Sequence, residues 1–191
     1  QITCIDNGMP VVIMRAADFG KTGYEPPDEL ESDQDLKRKV EDIRLKAGFL
    51  MNLGDVTRKT VPKMCLVAPP VNGGMISTRN FIPHRVHEAI GVLGAVSVAT
   101  ACVLEGSVAH SMTGMSLKSG SRSIDVEHPT GFFTVGLDFK IHADRSISIN
   151  RSALLRTARK IMDGNIFVPS DILYKTPPAT TETSEGKEYL K

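Results

Sequence analysis

Residues 89–104 form a run of sixteen residues without a charged side chain, and this run restricts the possible folds more than any other feature. An amphipathic surface helix keeps one polar face, whereas this run has none, which predicts a helix that is covered on all sides. The run is too short for a membrane span, because Glu88 and Glu105 bracket it. Small residues along it allow other backbones to approach closely: Gly91, Gly94, Ala95, Ala99 and Ala101.

Short apolar segments with the period of β-strands lie on both sides of this run. An Asn-Gly pair at Asn7 separates the first two, which is a strong hairpin signal. The expected fold class is therefore α+β, with a mixed β-sheet curled around a buried central helix. The predicted strands are residues 2–6, 10–15, 61–68, 75–81, 123–126, 133–139 and 146–150, residues 153–162 fit either helix or strand, and residues 166–168 complete a hairpin-like unit.

A second helix is predicted from a cap at Ser32 or Asp33 to about Leu53, with Gly54 ending it. Its apolar positions recur on one face, which indicates an amphipathic surface helix. The charged positions between them are expected on a solvated face. The apolar residues are Leu36, Val40, Ile43 and Ala47, and the charged ones are Lys37, Arg38, Glu41 and Arg44.

Composition and charge exclude several classes of function. The net charge of +1 implies no general attraction to nucleic acid or to a membrane surface. The cysteines are Cys4, Cys65 and Cys102; three scattered cysteines do not form a disulfide framework and fit a reducing compartment. All three lie in apolar runs and are expected in the core. Without a recognisable signal peptide, the expected localisation is cytoplasmic.

The candidate binding and catalytic residues cluster at the start of the central helix, which is predicted over residues 83–104. Pro83 suits a first turn, and Arg79, His84, Arg85 and His87 cluster there. Free N–H groups and basic side chains at a helix start attract anions, so a carboxylate or phosphate is the expected ligand. The histidines are equally consistent with ordinary surface and capping roles. A zinc site built on the two histidines is disfavoured, because no third ligand has supporting spacing.

Five separated motifs, in order, resemble the C-terminal half of the 4-oxalomesaconate tautomerase and methylaconitate isomerase (PrpF-type) family. They are IDNGMPVV (5–12), KTVPKMCLVAPP (59–70), RNFIPHRVHEAIGVLGAVSVATA (79–101), VEHPTG (126–131) and RTARKIMDGNIFVP (156–169). The resemblance implies the diaminopimelate epimerase-like fold, in which two pseudo-symmetric domains enclose a cleft with both central helix starts pointing inward. The chain is then expected to be the second domain, with the first missing, which accounts for its abrupt start at Gln1.

The resemblance also implies a reaction. It is a cofactor-independent isomerisation or tautomerisation of a small unsaturated tricarboxylate, of the kind used in breakdown of gallate and related aromatic acids. A proton leaves a carbon beside a carbonyl or carboxylate, and another is returned two atoms away. Helix starts and basic side chains stabilise the negative charge that develops. No metal or other cofactor is expected.

Residue by residue, the resemblance places a substrate-contacting Asn at Asn7 and a carboxylate-binding loop at Ile82, Pro83 and His84. His87 matches a histidine of the family's helix start and is the expected catalytic or binding residue. Arg79 is expected to hold a carboxylate through its guanidinium fork. The HPTG turn, residues 128–131, is a family motif that can also serve only to shape the strand.

One departure bears on activity. Epimerases of this fold carry a cysteine at each helix start, and residues 80–88 contain none. The isomerases rely mainly on a cysteine and a lysine of the first domain, so this chain is expected to supply half of a site. Its partner is the missing N-terminal half or another copy of itself. The alternatives are a non-catalytic anion-binding domain or inactive remnant, and, less favoured, a metal-dependent hydrolase.

The domain is expected to span residues 1–168, with a flexible tail at 169–191.

Overall fold

The computed structural model describes residues 1–114 and 118–169. A first compact unit covers Gln1–Arg156, and residues 157–169, which belong to a second unit, contain neither helix nor strand. The elements of the first unit are β1 (Ile2–Asp6), β2 (Pro10–Arg15), a 3-10 turn (Ala16–Phe19), α1 (Pro27–Ser32), α2 (Gln34–Leu50), β3 (Lys63–Ala68), β4 (Ile76–Phe81), α3 (Val92–Cys102), α4 (His110–Thr113), β5 (Gly120–His128), β6 (Gly131–Ile141) and β7 (Ile147–Leu154). The predicted α+β fold with a mixed sheet is confirmed. The tail is predicted at 169–191, of which residues 170–191 lie outside the described residues, and the extent of the domain to residue 168 stays a prediction.

All seven strands form one mixed sheet in chain order, β1 to β7. Two neighbouring pairs are parallel, β2 with β3 and β4 with β5, and the others are antiparallel. Each parallel pair needs a crossover, which α1 and α2 supply in the first case and α3 and α4 in the second. Because the strand direction reverses between β3 and β4, right-handed crossovers put the two sets of helices on opposite faces of the sheet.

Alternation along the strands builds a separate apolar core on each face. Cys65 and Val67 of β3 pack in the core that contains α3, whereas Met64 and Leu66 pack in the core that contains α2. The same parity assigns Lys63, at the start of β3, to the face of α3. The two faces of the sheet are therefore chemically distinct, and a side chain's position in the sequence decides which helix it meets.

The sheet curls around α3. The helix contacts β1 and β2 at one end of the strand order and β5 and β6 at the other. The ends of the sheet approach each other, since Nδ2 of Asn7, after β1, donates to Oγ of Ser152 on β7 across 3.2 Å. Residues 94–102 of α3 are all buried. The polar side chain of Ser97 within this stretch is satisfied by donating to the carbonyl of Met9.

The structure corrects three details of the sequence prediction. The central helix begins at Val92, not near Pro83, so residues 82–91 are a loop. Cys4 is exposed on β1 rather than buried in the core. Residues 155–169 contain no helix or strand, so the hairpin-like unit ending at 166–168 does not form.

The largest correction concerns Arg44, which was expected on a solvated face of α2 and is completely buried. The segment after α2 folds back over it, and Nη1 donates to the carbonyl oxygens of Val56, Lys59 and Val61 at 3.0, 3.2 and 3.0 Å. Glu41 pairs with the remaining side of the guanidinium through two contacts of 2.7 Å. A helical period identifies the apolar face of α2 but cannot show that a later loop covers its polar side.

Candidate functional site

A cavity of about 280 Å³ lies at the N-terminal end of α3. It is enclosed by the start of β3, the end of β4, the loop 82–91 and the first turn of the helix. These parts meet because β3 and β4 are antiparallel, so the first residue of β3 lies beside the last residues of β4. The lining residues are Met9, Lys63, Asn80, Phe81, Ile82, His87, Gly91, Val92, Leu93 and Gly94.

The first turn of α3 gives the cavity a wall of backbone amides. Gly91 is the N-cap, in extended conformation, and has no side chain to cap the turn. The first backbone bond of the helix runs from the amide of Ala95 to the carbonyl of Gly91 at 2.8 Å. The N–H groups of the three residues between them lack a partner within the helix and carry its partial positive charge. This end of the cavity favours an anion.

His87 lies between the strand end and the helix start. Its amide donates to the carbonyl of Asn80 at 2.8 Å, and its Nδ1 accepts from the amide of Ala89 at 2.9 Å. Because Nδ1 is used as an acceptor, the neutral ring carries its proton on Nε2. His87 can therefore offer an Nε2–H group to an oxygen atom in the cavity.

Lys63 and Asn80 belong to the cavity but were not predicted from the sequence. The half-buried Lys63 has a lowered pKa, first because of burial and second because of the nearby positive charge of Arg44. Asn80 is buried, and its Nδ2 donates to Oγ1 of Thr78 at 3.3 Å. The signal for Lys63 was a lysine at the start of an otherwise apolar strand. Asn80 lies in a strand with several polar residues and gave no comparable signal.

Of the site residues predicted from the sequence, Ile82 and His87 line the cavity. Pro83 is buried and is not among the lining residues. His84 points elsewhere: its side chain is 64% exposed, and Nδ1 lies 3.8 Å from Oε2 of Glu41 on α2. The two histidines therefore do not share a helix face. Within residues 1–114 and 118–169, no group of three or more His, Cys, Asp or Glu side chains is placed to hold a metal ion.

The side chains of Asn7 and Arg79 donate hydrogen bonds to other residues of the chain. Nδ2 of Asn7 donates to Oγ1 of Thr100 at 2.8 Å as well as to β7. By strand parity, Arg79 faces the side of the sheet opposite α3. It is buried there, donating from Nε to the carbonyl of Glu25 at 2.6 Å and from Nη1 to that of Thr78 at 2.8 Å. Burial lowers the pKa of its guanidinium.

The HPTG turn supports the loop that carries His87. Oγ1 of Thr130 donates to the carbonyl of Glu88 at 3.2 Å, and the amide of Thr130 donates to Nδ1 of His128 at 3.3 Å. The pKa of His128 is lowered, mainly by burial and further by the proximity of His87 and Arg79. The turn therefore links β5 and β6 to the cavity wall.

The buried cysteines offer no nucleophile to this site. Burial raises the pKa of the Cys65 thiol, and it raises that of Cys102 to about 12. Both thiols pack in the core around α3. A thiol with a raised pKa stays protonated and unreactive near neutral pH.

A second cavity, of about 290 Å³, lies over Gly136 on β6. It is lined by strand residues of β5, β6 and β7, including Arg122, Asp138 and Arg151. None of the residues predicted for the site reaches it, and it has no helix start. The cavity at α3 is therefore the candidate site.

The comparisons with known proteins agree with this fold. A family model described as "PrpF protein" matches residues 1–169. The chain is 54% identical over 167 residues to a (4E)-oxalomesaconate Delta-isomerase of Novosphingobium sp. (strain KA1), covering 87% of this chain and 45% of that protein. It is 52% identical over 172 residues to a 4-oxalomesaconate tautomerase of Pseudomonas putida (strain KT2440), covering 90% of this chain and 46% of that protein.

A solved structure of a methylitaconate-delta-isomerase has the same fold. It superposes with a TM-score of 0.71 and 17% sequence identity, over 95% of this chain and 50% of that chain. The chain thus spans about half the length of the relatives it matches. Among the described residues, no helix has the length and apolar character needed to cross a membrane.

Proposed function

The chain belongs to the PrpF family, and from this premise we propose that it supplies one half of the site of an isomerase or tautomerase acting on a small unsaturated tricarboxylate. The observation that carries the proposal is the cavity at α3, where unpartnered helix amides, Lys63 and His87 surround one space. Identities above 50% to two enzymes named for oxalomesaconate favour that substrate class.

The proposed reaction is the keto–enol tautomerisation of 4-oxalomesaconate, in the cytoplasmic degradation of aromatic acids. A base removes a proton from the carbon beside the keto group, and the resulting enolate oxygen gains a proton. The chemistry needs no redox cofactor, because no electrons leave the substrate. The amides of α3 and the Nε2–H group of His87 stabilise the oxygen on which negative charge develops.

The other half of the site comes from an N-terminal domain with the same epimerase-like fold, or from a second copy of this chain. The coverage of 45–46% of two relatives supports such a partner. The acid–base residues are then shared between the halves, with Asn7, Ile82 and Pro83 as further substrate-binding candidates. A domain that binds the anion without turnover is the alternative.

An ultraviolet assay of 4-oxalomesaconate conversion tests the proposal, using this chain alone and together with a supplied N-terminal half. Activity only in the presence of both halves supports a shared site. Activity of the chain alone supports a site completed by a second copy. Tight binding of the tricarboxylate without turnover in either case contradicts the enzymatic assignment and favours the anion-binding alternative.

A further inference from the structure

Lys63 is an ammonium group that faces the cavity without an opposite charge beside it. Other half-buried lysines of the chain have carboxylate partners, such as Lys21 with Asp33 at 2.8 Å and Lys37 with Glu31 at 2.6 Å. Lys63 forms no ion pair and no side-chain hydrogen bond with any of the described residues. A partly buried cation without a counter-ion costs free energy unless a ligand supplies the negative charge.

The lysine is held in place by the fold rather than left free at the surface. Its backbone pairs with Val11 of β2 in parallel register, and the next residue, Met64, pairs with Phe81 of β4. The chain immediately before it is fixed by Arg44, which binds the carbonyl of Val61. Lys63 therefore projects from a rigid strand start on the α3 face, which is the arrangement that a precise binding site requires.

The charges nearest to Lys63 also favour an anion. The charge that acts on its pKa besides burial is the guanidinium of Arg44, which is positive. The remaining polar groups of the cavity are neutral or donate hydrogen bonds: the amide of Asn80, the ring of His87 and the first-turn amides of α3. No carboxylate lines the cavity among the described residues.

We infer that Lys63 is the residue that pairs with a carboxylate of the bound tricarboxylate and so fixes its position against the first turn of α3. The inference rests on the proposed function, because it assigns a role within the same cavity. The cavity, the unpaired ammonium and the fixed strand start carry it together.

The test is isothermal titration of tricarballylate, a stable tricarboxylate, into the chain and into the chain with its supplied N-terminal half. Loss of one charge-assisted contact predicts about 10- to 100-fold weaker binding for Lys63→Met. Lys63→Arg, which keeps the charge, is expected to recover part of the affinity. The matched control is Lys140→Met, which removes the same charge from an exposed strand position outside the cavity and is expected to bind normally.

Equal binding by the Lys63→Met and Lys140→Met proteins would overturn the inference, provided that their far-ultraviolet spectra and melting temperatures match the parent. Absence of tricarballylate binding by the parent chain, alone and with the other half, overturns the inference together with the proposed site. Binding that depends on Lys63 while 4-oxalomesaconate is not converted supports the inference and contradicts only the proposed reaction.

Discussion

Arg44 donates a hydrogen bond across 3.0 Å to the carbonyl oxygen of Val61, which lies seventeen positions later in the chain. This bond joins the middle of α2 to the segment that enters β3. A fully buried guanidinium on one face of the sheet thus fixes the strand start from which Lys63 reaches the cavity on the other face. The contact therefore lies between a buried residue of one core and the residue that we infer to bind the ligand.

Replacing Arg44 by Met is expected to lower the free energy of unfolding by about 3 kcal/mol, because three carbonyls and the Glu41 carboxylate lose their partner. The control is Arg38→Met on the same helix. Arg38 pairs with Asp35 in full exposure, so its loss is expected to cost less than about 0.5 kcal/mol. Urea unfolding followed by circular dichroism measures both; similar losses in the two proteins would contradict the structural role of Arg44.

Replacing Glu41 by Gln is expected to shift the pH dependence of tricarboxylate binding. Binding needs a protonated Lys63. The affinity for the tricarboxylate is therefore highest at pH values below the pKa of Lys63, and it falls as the pH rises through that pKa. Burial and Arg44 already lower this pKa. Without the Glu41 carboxylate, the Arg44 charge is uncompensated and lowers the pKa of Lys63 further. The fall in affinity should therefore begin at a lower pH.

Titration of tricarballylate at a series of pH values gives the two curves. His87 also faces the cavity and is the same in both proteins, so the difference between the two curves reports on Lys63. Glu105→Gln, which removes an exposed carboxylate paired with Arg145, is the control and should follow the parent. A Glu41→Gln curve identical to that of the parent would show that Lys63 does not sense the Arg44 charge.

Replacing His87 by Ala is expected to lower turnover by about 10²–10⁴-fold in the two-half enzyme. His87→Gln keeps an N–H donor and should retain more activity than His87→Ala if the Nε2–H group stabilises an oxygen. His142→Ala, a change at an exposed turn that binds Ser148, is the control. Steady-state kinetics measure the turnover of each variant. An equal loss of turnover in His87→Ala and His87→Gln would indicate proton transfer by the ring. Normal turnover in both variants would remove His87 from the mechanism.

Replacing Arg79 by Met separates a binding role from a packing role. The sequence predicts contact with a carboxylate, which requires a higher Michaelis constant in the variant. The structure places its donors on the carbonyls of Glu25 and Thr78, which predicts a loss of about 1–3 kcal/mol of stability with an unchanged Michaelis constant. Kinetics and urea unfolding on one preparation distinguish the two. A raised Michaelis constant at full stability would establish the carboxylate contact.

The strands were predictable because their side chains alternate. Phe133, Val135, Leu137 and Phe139 of β6 are buried, as the period of two requires, and the Asn-Gly pair forms the turn between β1 and β2. The burial of α3 followed from its uncharged composition. In each case the prediction depends on one short segment, and residues that are distant in the sequence are not needed to make it.

The start of α3 and the membership of the cavity were not predictable in this way. Pro83 gave a first-turn signal, but the amide of Val86 is taken by Glu31 of α1 across 2.7 Å, and that of His87 by Asn80. These distant partners hold residues 82–91 as a loop. Lys63 enters the cavity only because β3 and β4 meet there, a pairing that no single segment of the sequence specifies.

The short register between β4 and β5 has a mechanical consequence. These strands pair only through Ile76 with Val126 and Ser77 with Glu127, whereas β5 and β6 pair along nine positions. The four-stranded and three-stranded parts of the sheet are therefore joined by this short pairing, by the Glu127 carboxylate, which accepts from the amides of Val71, Asn72 and Gly74, and by α3, which both parts touch. The first turn of this helix also lines the cavity, so a ligand bound there rests on the one helix that both parts of the sheet share among the described residues.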